Sequence, residues 1–89
     1  MHIKPIASNM TELHLSSGVV VLFSYETAVA AHLPGAGYVR TSQHYSKTTS
    51  RHINKWLRGA HAREASPESL QLLAEGADIH ADVQRHGKY

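Results

Sequence analysis

The run YSKTTSRHINKWL, from Tyr45 to Leu57, gathers hydroxyls, cations, a histidine, an asparagine and a tryptophan. A helix through it puts Arg51, Lys55 and Arg58 on one face, because they are spaced i, i+4, i+7. Ile53, Trp56, Leu57 and Ala60 follow i, i+3, i+4, i+7 and make an apolar stripe on the opposite side. Asn54 flanks the basic ridge, and Lys47 and the hydroxyls fall at the helix start. Free N–H groups and the positive dipole end at a helix N-terminus attract phosphate. Cations along one face neutralise a polyanion and release its counterions. An Asn adds a side chain able to read a base edge. The candidate binding residues are therefore Arg40, Lys47, Arg51, Asn54, Lys55 and Arg58. The blander reading is a solvated helix face whose hydroxyls serve as caps.

Tyr38 and Tyr45 are the stacking candidates. Tyr38 shares a strand face with Arg40, and aromatics beside cations are what single-strand binders use. Trp56 falls in the apolar stripe and is assigned to the core. Charge is segregated along the chain. From Arg40 to Arg63 the charged residues are all Lys or Arg, and from Glu64 to Asp82 all are Asp or Glu. Either the two blocks face different partners or they pair with each other in the folded monomer.

Catalytic signatures are poor. SKTTS lacks the glycines of a phosphate-binding loop, and no G-x-S-x-G is present. Ser50 and His52 lie two apart on the helix and point apart. The 8 histidines show no H-E-x-x-H spacing and read as surface residues that gain charge as pH falls. No catalytic residue, metal ligand or cofactor is expected.

The elements that must position these residues follow from pattern. Glu12 to Ser16 alternates polar and apolar, a half-buried strand. Ser16-Ser17-Gly18 is turn chemistry, and Val19 to Tyr25 reads as a central strand, so the two make a hairpin. Ala28 to Leu33 and Gly37 to Thr41 read as further strands around the turn at Pro34 to Gly37. A helix starts near Ser46 to Ser50 and stops at Gly59. Ser66-Pro67-Glu68 opens a second, with Leu70, Leu72, Leu73 and Ala74 on its apolar side and Gly76 at its end. Ile79 to Val83 reads as a short strand or helical turn, and residues 85–89 as a frayed tail.

The chain of 89 residues is expected to be a single α+β domain, 1–89. Its architecture reads as a small antiparallel sheet of three or four strands packed by one or two helices. Val20 and Leu22 face one side of that sheet, and Val19, Val21 and Phe23 the other. One layer of helices covers one side, so the second must be closed by the N-terminal segment, the C-terminal tail or another subunit, and a homodimer is a reasonable expectation. No apolar run approaches the ~18 residues of a membrane span, and the N-terminus lacks the apolar core of a secretory signal. The chain has no Cys, which suits a cytoplasmic setting.

Ser24 to Ala30, Gly37 to Thr41 and Ser46 to Leu57 together resemble a family of small uncharacterised proteins of bacteriophages and bacterial mobile elements. Its members carry a SYxTxVA turn, a GYxRT strand and an SxTTSRHINKWL helix. Ala28 departs from the Pro of that family, which leaves the turn after Tyr25 less rigid. The resemblance implies context and no activity: a cytoplasmic protein of a bacterial host. Together the readings point to a non-enzymatic binding protein that contacts nucleic acid, or a host nucleoprotein complex, through the basic helix face. The second reading is a protein-directed modulator that inhibits a host defence or nucleic-acid-processing complex, in the manner of an anti-CRISPR protein. Its acidic segment Glu64 to Asp82 would imitate a phosphate run. A metal-dependent enzyme ranks third.

Overall fold

The structure, a computed structural model, describes residues 2–76. The element expected at Ile79 to Val83 and the tail 85–89 lie outside the described residues. Six strands follow one another across a single sheet in chain order. They are β1 (His2–Ala7), β2 (Met10–His14), β3 (Val20–Ser24), β4 (Thr27–Leu33), β5 (Gly37–Thr41) and β6 (Ala62–Ala65). The first five meander antiparallel. Helix α1 (Lys47–Leu57) then carries the chain over the sheet, and β6 returns parallel to β5. Helix α2 (Pro67–Ala74) follows.

The expected hairpin is β2 and β3, with Leu13 opposite Val21 and Gly18 at φ 93° in the turn. A side chain at Gly18 would strain that backbone, and its Cβ would meet Pro34 at 3.0 Å. The next turn is less ordinary. Tyr25 takes φ 57°, the left-handed region that a bulky residue rarely occupies. Its N–H donates to the Asn9 carbonyl at 2.8 Å, which ties two neighbouring turns together.

The expected sheet of three or four antiparallel strands is corrected to six strands with one parallel pair. β1 escapes pattern reading because HIKPIA contains Pro5 and is exposed on both faces. An edge strand tolerates a Pro, which has no N–H to give, and the pairing with β2 is irregular from Pro5 to Ala7. β6 is AREA, four residues with helical preference. Pairing with β5 overrides that preference.

The single helical layer is corrected too. Leu22, Val29 and Ala30 pack with Ile53 and Leu57 of α1. Val21, Ala31 and Val39 pack with Leu70 and Leu73 of α2. The two helices therefore take opposite faces, and α2 covers, over β3 and β4, the side left open by a single helical layer. Leu72, placed with that apolar side, is exposed instead. Among the described residues, no helix is long and apolar enough to cross a membrane.

Because Leu70 is fully buried between α2 and the sheet, Leu70→Ala should destabilise the fold by about 2–5 kcal/mol in urea unfolding. A loss below about 0.5 kcal/mol, the range of ordinary surface substitutions, would remove α2 from the core.

Candidate functional site

Helix α1 is fixed at both ends and in its middle. Ser46 caps the start by accepting from the Thr49 N–H at 3.1 Å. Arg58 takes the left-handed conformation past the last turn, and its N–H donates to the Asn54 carbonyl at 3.1 Å. Between them, Ser24 of β3 sits 2% exposed beneath the helix. Its Oγ lies 3.0 Å from Thr49 Oγ1 and 2.8 Å from His52 Nδ1. A hydroxyl can donate once and accept twice, so this trio is self-satisfied and pins α1 to the sheet. Ser24 is too deeply buried to meet a substrate. Ser50, the other serine near a histidine, approaches His44 Nδ1 at 3.4 Å on the surface. Among the described residues, no three His, Asp or Glu side chains gather as metal ligands.

The basic ridge is present. Lys47, Arg51, Lys55 and Arg58 are all exposed. Arg40 reaches across from β5 and donates to Asn54 Oδ1 at 3.3 Å. Among the described residues the one ion pair is Glu12 with His14, so none of these cations meets a carboxylate. Described members of the acidic block, Glu64, Glu68 and Glu75, are exposed as well. Within the described residues the two charge blocks do not neutralise each other.

Beside the ridge lies a cleft of about 560 Å³ that the sequence did not announce. Its origin is geometric. Six strands span about 24 Å at the usual strand spacing of about 4.8 Å, whereas a helix with its side chains is about 10–12 Å across. Helix α1 packs over β3 and β4 and buries Met10 at one end of β2, while the same face of β1 and the Glu12–His14 end of β2 border an open cleft. Lys55, Trp56 and Arg58 line the helix side, and Lys4 lines the β1 side. Glu12 and His14 come from β2, and His32 and Tyr38 from the far ends of β4 and β5.

Inside it the polar and aromatic groups are tied together. Trp56 Nε1 donates to Glu12 Oε2 at 2.7 Å. Glu12 Oε1 lies 2.8 Å from His14 Nε2. Tyr38 meets Trp56 edge-to-face at 5.5 Å, and His32 lies 4.7 Å from Tyr38. Burial pushes the Glu12 carboxyl up, but hydrogen bonds to Trp56 and His14 and the charges of His14 and Lys4 outweigh it. Its pKa falls below the ordinary value of 4.5. The carboxylate is thus held ionised with both oxygens engaged, and it fixes the indole ring at the cleft.

Sequence reasoning placed Trp56 in the core. It is half-buried, packed on the α1-side core and lining the cleft at once. Ala60, assigned to the same stripe, lies past the helix and is exposed. Of the expected residues, the cleft brings together Tyr38, Lys55 and Arg58. Tyr45 lies elsewhere, in a groove with Pro67 and Leu72 beside α2. Lys4, Glu12, His14, His32 and Trp56 were missed as site residues. The signal available was Glu12 and His14 on the polar side of an alternating strand, which reads as solvent-facing by default.

A carboxyl whose folded pKa is lowered contributes stability above its unfolded value and loses it as pH falls through the folded value. The contribution of Glu12 is therefore present at neutrality and disappears below pH 4.5. Melting temperatures of the native protein and Glu12→Gln should differ at pH 7 and converge toward pH 3. A gap that stays constant over that range would detach the carboxylate charge from the fold.

No curated protein and no solved structure matches the chain. Residues 1–71, which span all six strands, α1 and the start of α2, match one family profile. The chain thus belongs to that family, described as a family of unknown function (DUF8033).

Proposed function

We propose that the protein is a non-enzymatic binding module of phage or mobile-element type, acting in the cytoplasm of a bacterial host. It contacts nucleic acid through the exposed face of α1. The observation that carries this reading is the row Lys47, Arg51, Lys55 and Arg58, exposed and without a carboxylate partner among the described residues. Cations along one helix face neutralise a polyanion and gain by releasing its counterions. Arg40 and Asn54, bonded to each other, extend the polar surface toward β5. Ser46 and Thr49 serve as cap and anchor, so the reading rests on the cationic row. A protein-directed modulator ranks second, because the exposed acids Glu64, Glu68 and Glu75 are dispersed over β6, α2 and the end of α2.

Binding of a labelled oligonucleotide, followed by anisotropy, should weaken steeply with salt. Removing one cation that touches a phosphate lowers the slope of log K against log salt by about 0.7–0.9. Arg51→Ala with Lys55→Ala should therefore flatten the slope by about 1.4–1.8 and leave the melting temperature unchanged. Affinity that does not respond to salt would overturn the proposal.

A further inference from the structure

We infer that the cleft beside α1 holds one unpaired nucleotide of a single strand, with its base against the Tyr38–Trp56 rings and its phosphates on Lys4, Lys55 and Arg58. The inference rests on the nucleic-acid reading of the ridge and adds what the ridge alone does not specify, the form of the nucleic acid.

Charge decides the sign of the occupant. Lys4, Lys55 and Arg58 line the cleft, and its one carboxylate among the described residues, Glu12, has both oxygens engaged by Trp56 and His14. An anionic ligand meets three cations, while a cationic ligand would have to compete with Trp56 and His14 for Glu12. Ring content decides the shape. Trp56, Tyr38 and His32 form a contiguous row, with centroid separations of 5.5 Å and 4.7 Å. Stacking on such rings is open to any base but needs its π-face free, which a paired duplex denies. Rigidity favours the same occupant. The Trp56 indole is held by Glu12 and by edge-to-face contact with Tyr38, so little ordering remains for the ligand to impose. Volume agrees, since about 560 Å³ falls within the range of small-molecule sites. Position links the two surfaces, because Lys55 and Arg58 belong to both the ridge and the cleft. A strand following the ridge thus arrives at the rings.

The chain has one Trp, so its fluorescence reports on the cleft alone. The native protein is titrated at about 100 mM salt with a labelled single strand and with its duplex, reading anisotropy and Trp56 emission together. The single strand should bind more tightly and quench Trp56 to saturation, while the duplex binds by the ridge and leaves the emission unchanged. Tyr38→Ala should weaken single-strand binding by about fivefold or more, the scale of removing a single stacked ring, with duplex affinity unchanged. Lys4→Ala, on the exposed edge strand and outside the ridge, should also weaken the single strand selectively. Binding of both forms with no change at Trp56 would overturn the inference and leave the ridge reading standing. Binding of neither form would overturn both. A nucleoside monophosphate that matched the affinity of the strand would also overturn it, by assigning the cleft to a free nucleotide.

Discussion

A single helix is narrower than the sheet on which it lies, and the organisation of this protein depends on that mismatch. Among the described residues each face of the six-stranded sheet receives one helix, and both helices pack over β3 and β4. The central strands are buried from both sides, which is why Val21, Leu22, Val29, Ala30 and Ala31 are fully enclosed. The outer strands are left with one or both faces uncovered. On the α1 side the uncovered floor of β2 carries Glu12 and His14, and β1 stands beyond it as a wall. The cleft is thus the part of the sheet that the α1 backbone does not cover and that Trp56 alone reaches across to Glu12.

Helix α1 must be held in place for that cleft to have a shape. Two kinds of contact hold it. Ile53 and Leu57 bury against Leu22, Val29 and Ala30. The Ser24, Thr49 and His52 trio then fixes its position with buried hydrogen bonds, which specify geometry more sharply than apolar packing does. Past this anchor, Trp56 leans over the open floor and meets Glu12, a contact between residues 44 apart in the chain. The fold and the candidate site share this side chain, as they share Met10 and Tyr38.

Much of the scaffold was legible in the sequence. The hairpin of β2 and β3, the strands β4 and β5, both helix starts and the basic ridge follow from local pattern. Caps at Ser46 and Ser66 act through near neighbours, so local reading finds them. What was not legible depends on long-range partners. β6 is a strand because β5 offers an edge, although AREA favours a helix. β1 is a strand although Pro5 argues against one. The cleft pairs Glu12 with Trp56 across a separation that no spacing rule spans. The polar side of an alternating strand reads as solvent-facing, and here it faces a cleft, because only the width of the sheet decides which polar faces are walled in.

The central claim is that the α1 ridge and the adjoining cleft form one binding surface for a nucleic-acid strand. Amide chemical-shift mapping of the native protein with an unlabelled single-stranded oligonucleotide addresses it most directly. The account predicts perturbations confined to Lys47–Arg58, Lys4, Glu12, His14, His32, Tyr38 and Arg40, with Tyr45, Leu72 and the α2 face unchanged. Perturbations centred on α2 and Tyr45, or none at saturating oligonucleotide, would contradict it.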